Sequence, residues 1–186
     1  MSKIRDHVLA FHQATNMPIL TTPQVPTSDR IRLRAKLVSE ESFEFLEALY
    51  GKKFDFIKES VKTLIEGLEP QVDLVAVADA LGDTDYVVEG SRIEFGIDGD
   101  PIADEIQRTN MLKLTGPKRE DGKQLKPPGW LPPNITGILL DQGWVPTSKN
   151  DLKQLGEQLV EQRTKHNVCA HQKPDPTCVF CMGDVT

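Results

Sequence analysis

Leu37-Val38-Ser39-Glu40-Glu41-Ser42-Phe43-Glu44-Phe45-Leu46-Glu47-Ala48-Leu49 holds four glutamates among apolar neighbours. Its composition suits a helix, and an α-helix turns about 100° per residue. Glu40, Glu44 and Glu47 then fall on a narrow stripe with Glu41 at its edge. Ile31, Ala35, Val38, Phe45, Leu46 and Leu49 gather on the other side, the expected core-facing stripe. The acidic face is not simply solvated, because Leu37 and Ala48 flank Glu41 and Glu44. Like charges one turn apart repel, more so when partly buried. A cation relieves that repulsion.

A second stretch, Val72-Asp73-Leu74-Val75-Ala76-Val77-Ala78-Asp79-Ala80-Leu81-Gly82-Asp83-Thr84-Asp85-Tyr86-Val87-Val88, is apolar nearly all the way round. That pattern predicts a buried helix. Asp79 and Asp83 nonetheless sit one turn apart on it, beside Val75, Ala76, Tyr86 and Val87. Buried carboxylates need pairing, protonation or a metal. Gly82 permits close approach of another helix or a ligand. If the two acidic faces meet, four or five carboxylates converge, a hard-oxygen set suited to magnesium or manganese carrying phosphates.

The remaining chain is consistent with a helical domain. Its 186 residues suffice for one domain with appendages. A net charge of −6 without a basic block disfavours a nucleic-acid partner. No apolar run approaches membrane-spanning length, and the first residues lack the apolar core of a signal peptide. A cytoplasmic setting is the expectation. Helices are expected over residues 3–16, from Thr27-Ser28-Asp29 to Tyr50-Gly51, over about 54–68, and through the Asp79 segment to Phe95-Gly96. Another runs from Pro101 to about Leu112. From Leu114 to Pro133 glycine, proline and lysine dominate, so an irregular functional arm or a disordered stretch is expected. A short helix at Ile135–Gln142 and a longer exposed one at Asp151–Lys165 follow. The organisation read this way is a catalytic core over 1–113, a Gly/Pro-rich arm over 114–147, and a C-terminal helix and Cys/His tail over 148–186.

Glu40-Glu41-x-x-Glu44 followed by Asp79-Ala80-Leu81-Gly82-Asp83-x-x-Tyr86 resembles the MazG-like, all-α nucleoside triphosphate pyrophosphohydrolases of phage and bacterial type. The likeness extends more weakly into Arg108-Thr109-Asn110-Met111-Leu112-Lys113 and Asp121-Gly122-Lys123-Gln124-Leu125-Lys126-Pro127. The resemblance implies an all-α bundle, magnesium or manganese on the two acidic helices, and cleavage of a triphosphate between its α and β phosphorus atoms. A homo-oligomer, dimer or tetramer, is implied as well; a helical bundle of this size would by itself expose apolar helix faces. One departure concerns the second motif, where the family places a glutamate three residues before the final aspartate. Here Ala80 stands at that position, with Asp79 the nearest substitute.

The expected metal ligands are Glu41, Glu44, Asp79 and Asp83. Glu40 is either a further ligand or the base that orients the attacking water. Lys113, Lys123 and Lys126 are candidates for the phosphates, Arg108 for a bidentate clamp, and Asn110 for the base edge or sugar. The chemistry fits: a triphosphate repels hydroxide until cations neutralise its oxygens. The expected reaction converts a (deoxy)nucleoside triphosphate to its monophosphate and pyrophosphate, with purine deoxynucleotides such as dGTP among the candidates. Phosphoribosyl-ATP is a related substrate with the same acidic-helix plan. A non-catalytic helical adaptor with a zinc tail is the contrasting class, and it leaves Asp83 without a role.

His12, beside Phe11, is expected to be a packing residue. Trp130 and Trp144 are expected to anchor the arm. In the tail, Cys169, His171, Cys178 and Cys181 form a complete ligand set for a structural zinc, with His166 an alternative imidazole. Unpaired thiols on a flexible tail are the other reading.

Overall fold

The computed structural model describes residues 3–117, 125–149, 151–153, 155, 156 and 160. The protein is all-α. Its helices are α1 (Lys3–Thr15), α2 (Ser28–Tyr50), α3 (Asp55–Gly67), α4 (Leu74–Phe95), α5 (Gly99–Lys113) and α6 (Ile135–Asp141), with further helical residues from 149 onward. These bounds lie within two residues of most sequence expectations. The residues between α5 and α6 that are described are irregular, as their glycines and prolines require. No helix among the described residues is long and apolar enough to cross a membrane.

The chain divides into two compact units, one of residues 20–88 and one of residues 1–19 with 89–186. In the first, α2 and α3 pack as an antiparallel hairpin. Gly51 closes α2 in the left-handed region at φ 61°, its N–H donating to the Glu47 carbonyl; glycine takes this conformation without a Cβ clash. The inward side of the hairpin is narrow. Phe43 meets Phe54 at 6.5 Å between ring centroids, and Val61 and Ile65 continue that line along α3, half-buried. At the open end, Lys36 pairs with Glu66 at 2.8 Å, while Arg32 reaches Glu69 at 2.7 Å and the Leu68 carbonyl at 3.3 Å.

Asp73 starts α4 by accepting from the Val75 and Ala76 N–H groups at 2.9 and 3.1 Å, an N-cap. From Val75 to Glu89 every residue of α4 is then exposed. The expectation of a buried helix is therefore corrected for a single chain. Val75 is 79% exposed, Leu81 57% and Tyr86 82%. The expected core stripe of α2 behaves alike: Val38, Phe45, Leu46 and Leu49 are exposed, and only Ile31 is partly covered. The hairpin uses Phe43 instead, because α3 lies along the Ser39–Phe43–Glu47 edge. Among the described residues no apolar side chain is fully buried.

In the other unit α1 packs on α5, and α5 on α6. Asp104 receives Lys3 at 2.6 Å and faces His7 Nε2 at 3.3 Å. Asp98 caps α5 by accepting from the Asp100 N–H at 3.0 Å, and its backbone is clasped by the Gln142 amide in two hydrogen bonds of 2.9 and 3.0 Å. Asn134 caps α6. Among the described residues of this unit, Thr109 of α5 and Thr136 of α6 are buried.

Candidate metal and nucleotide site

On α2 the four glutamates separate into two kinds. Glu47 is built into the hairpin. Its carboxylate accepts the Phe54 N–H at 3.0 Å and pairs with Lys58 at 3.0 Å and Lys53 at 3.2 Å. The Phe54 hydrogen bond, then the Lys58 ammonium, hold its pKa far below the usual 4.5, at about 2. It therefore closes the turn and is committed there. Glu40, Glu41 and Glu44 stand exposed on the same helix. Glu40 borders a cavity of about 210 Å³ floored by Phe43, Val61 and Ile65 and rimmed by Lys36, Lys58 and Lys62. Glu44 shares a surface hollow with Lys52, Lys53 and Lys58, and its charge helps raise the Lys58 pKa after the larger effect of the Glu47 hydrogen bond.

Asp79 and Asp83 are also exposed, on the bare length of α4. Carboxylate oxygens of this kind suit magnesium or manganese. Among the described residues of one chain, however, no three acidic or histidine side chains stand close enough together to hold an ion. The donor chemistry fits; among the described residues the donor set is incomplete.

The predicted substrate residues on α5 and the arm belong to the other unit. Arg108 has its guanidinium fork occupied by Glu105, through Nε and Nη2 at 2.7 Å each. Those bonds lower the Glu105 pKa and raise that of Arg108. Glu105 also accepts the Asn134 N–H at 2.8 Å, so Arg108 here fastens α5 to the start of α6. Lys113 donates to the Asn110 amide oxygen at 2.8 Å. Lys126 and Lys113 lie over the Trp130 ring, 4.1 and 5.5 Å from its centroid. Trp130 donates its indole N–H to the Thr109 carbonyl at 3.1 Å, the anchoring expected of it. His12 faces the Pro18 carbonyl at 3.1 Å, in keeping with a packing residue. Lys123, the candidate zinc ligands Cys169, His171, Cys178 and Cys181, and His166 lie outside the described residues.

A family model described as phosphoribosyl-ATP pyrophosphohydrolase matches residues 8–110. The chain belongs to that family. The match takes in every predicted acidic ligand together with Arg108 and Asn110, and it ends before Lys113 and the arm. The chain is also similar to a crystal structure of a candidate NTP pyrophosphohydrolase from Exiguobacterium sp. 255-15. The two share 29% identity at a TM-score of 0.59, over 76% of this chain and 96% of that one. No curated protein matches the chain.

Family membership establishes a nucleotide pyrophosphohydrolase at the level of its class. Sequence reading grouped Glu47 with the other glutamates of the stripe, because a helical wheel has no view of the turn beyond it. The available signal was Glu47 standing four residues before Gly51, with Lys53 and Lys58 just after. Pairing of Lys113 and Lys126 through Trp130 was likewise not legible, since it needs the arm folded back on α5.

Proposed function

We propose that this protein hydrolyses a (deoxy)nucleoside triphosphate to its monophosphate and pyrophosphate, with magnesium or manganese as cofactor, in a self-associated form. The observation that carries this reading is the pair of exposed acid clusters, Glu40-Glu41-Glu44 on α2 and Asp79-Asp83 on an apolar helix that the described residues leave exposed. An apolar helix face of this extent is a contact surface. A second copy laid against α4 would cover that face and allow the acidic sets to converge. The bound ion would neutralise phosphate oxygens and lower the pKa of an attacking water.

In this reading Glu41, Glu44 and Asp83 are ligands, and Asp79 supplies the carboxylate that the family's missing glutamate would give. Glu40 accepts the proton as water adds to the α-phosphorus and pyrophosphate departs. The cavity beside Glu40, with Phe43 at its floor, is large enough for a nucleobase. A triphosphate rather than phosphoribosyl-ATP is favoured by the similarity to the Exiguobacterium protein, while the family's own description favours phosphoribosyl-ATP.

One screen separates these readings: pyrophosphate release from the common NTPs and dNTPs and from phosphoribosyl-ATP, each with magnesium and with manganese. A triphosphate is expected to give the highest kcat/KM. Preference for phosphoribosyl-ATP would select the second substrate, and full turnover in excess chelator would remove the metal from the account.

A further inference from the structure

We propose that Lys58 fixes the direction of the substrate along α2, with the nucleobase on its Glu40 side and the departing pyrophosphate on its Glu44 side, where Lys52 and Lys53 receive it. The inference rests on the pyrophosphohydrolase reading and adds to it an orientation and three cations. Among the residues lining the cavity beside Glu40 and the hollow beside Glu44, Lys58 alone borders both. Glu40 and Glu44 are one helical turn apart, about 6 Å along the axis. A phosphorus atom attacked beside Glu40 therefore stands close to that divide.

The two sides of Lys58 differ in chemistry. The cavity is floored by Phe43, Val61 and Ile65, and its other rim lysines are each matched to a carboxylate, Lys36 to Glu66 at 2.8 Å and Lys62 to Glu59 at 3.6 Å. An apolar floor with neutralised charges at its edge suits a flat base better than a phosphate. The hollow is lined by Lys52, Lys53 and Lys58 against Glu44 and Glu47, three ammoniums to two carboxylates. Lys53 and Lys58 share the one Glu47 carboxylate, at 3.2 Å through Oε2 and 3.0 Å through Oε1. Among the described residues Lys52 has no ion-pair partner. Surplus positive charge next to a proposed metal ligand suits an anion with several charged oxygens.

Glu47 is the positioning residue of this arrangement. Its side chain is 9% exposed and accepts the Phe54 N–H at 3.0 Å. That bond first, and Lys58 second, keep its pKa near 2, so it stays charged around neutral pH. The same carboxylate raises the Lys58 pKa, and the Lys58 side chain is 22% exposed. An ammonium held in this way loses little freedom when it meets a phosphate.

The test uses the full-length chain with Lys52→Ala, Lys58→Ala, Lys58→Arg and the cavity-filling Val61→Phe. Calorimetry at low salt with magnesium reads binding of inorganic pyrophosphate and, separately, of the four deoxynucleoside monophosphates; circular dichroism melting is the fold control. Loss of a charge-assisted contact should weaken pyrophosphate about threefold for Lys52→Ala and at least about fivefold for Lys58→Ala, with Lys58→Arg restoring most of it. Lys52→Ala should leave monophosphate affinity and melting unchanged, which separates a binding role from a structural one. Val61→Phe should weaken the monophosphate that wild type binds best and spare pyrophosphate. Pyrophosphate affinity indifferent to Lys52 and Lys58 would reduce these lysines to counter-charges at the end of α2 and overturn the proposal. The crossed pattern, with Val61→Phe acting on pyrophosphate and Lys52→Ala on the monophosphate, would overturn the orientation. Failure of wild type to bind either probe would overturn it too. No turnover is read, so failure of the hydrolytic reading shows in the nucleotide screen alone, while turnover with unaltered binding in these variants sinks only the orientation.

Discussion

Helices α3 and α4 are neighbours in the chain and opposites in how they meet their surroundings. Helix α3 is strongly one-sided, and its apolar line Phe54–Val61–Ile65 is met by Phe43 of α2. Helix α4 is apolar nearly all round, yet every residue from Val75 to Glu89 is exposed. A one-sided helix needs a single partner, and an αα-hairpin supplies it locally. A helix apolar on nearly all sides needs several, and the described residues do not provide them. The two carboxylates Asp79 and Asp83 sit on the uncovered helix, so the chemistry and the missing contact coincide.

The largest expected effect follows from that coincidence. Glu41→Gln and Asp83→Asn each remove a proposed ligand, one on either side of the comparison. Each is expected to lower kcat by about a thousandfold or more, the scale on which charge stabilisation at a reacting phosphate operates. Neither should lower the melting temperature of the metal-free protein, since each removes like-charge repulsion. Pyrophosphate release and thermal melting on the same samples check both halves. Activity within tenfold of wild type for both variants would separate these acids from the reaction.

Next in size is the loss of association. Val77, Leu81 and Val88 share a stripe on α4 roughly opposite Asp79 and Asp83, and all are well exposed. Leu81→Lys places a charge in that stripe without touching the acids. Burial of a leucine contributes about 1.5–3 kcal/mol, so the variant's self-dissociation constant should rise at least about tenfold. Sedimentation across a concentration series measures it, and turnover per chain should fall at concentrations where the variant dissociates. Unchanged association and turnover would mean that this stripe of α4 is not what a second copy covers.

These expectations show where sequence reading succeeds. Helix positions were legible because Gly51, Pro70, Gly96 and Pro101 punctuate the chain and each apolar run has helical period. The acidic pattern was legible because carboxylates amid apolar residues are anomalous wherever they occur. What lies against those faces was not legible. Periodicity says that Val38, Phe45 and Leu81 want covering, but it does not say whether their own chain covers them. Glu47 shows the same limit at one residue. Its place on the stripe is a property of α2, whereas its role comes from Phe54, Lys53 and Lys58 beyond the turn.

Glu47 gives a third test, confined to the hairpin side of the comparison. Glu47→Gln keeps an acceptor for the Phe54 N–H and loses the charge that holds Lys53 and Lys58. A melting temperature lower by several degrees at pH 7 is expected. The pH dependence carries a definite sign. A carboxyl with a folded pKa of about 2 against an ordinary 4.5 stabilises the fold fully above the ordinary value. That contribution declines as pH falls from 4.5 toward 2 and is gone below both. The wild-type advantage over Glu47→Gln should shrink across that window. A difference independent of pH would assign Glu47's role to packing rather than charge.

The smallest effect concerns the open end of the same hairpin. Lys36 and Glu66 meet at 2.8 Å with the Glu66 side chain half exposed, and the Lys36 hydrogen bond lowers the Glu66 pKa. Solvent screens such a pair, and holding two long side chains in one geometry costs entropy, so exposed ion pairs contribute little. Lys36→Ala should therefore lower the melting temperature by only about 1–2 °C at low salt, and by less at high salt where the Debye length shortens. The acid dependence has the same sign as for Glu47, with stability lost as pH falls below the ordinary carboxylate range. Lys36 also rims the cavity beside Glu40, which makes its kinetics the sharper measurement. If that cavity holds substrate, Lys36→Ala raises KM severalfold while the melting temperature barely moves. If KM and melting are both unchanged, the cavity is only the groove that two packed helices leave between them, and the substrate is held elsewhere.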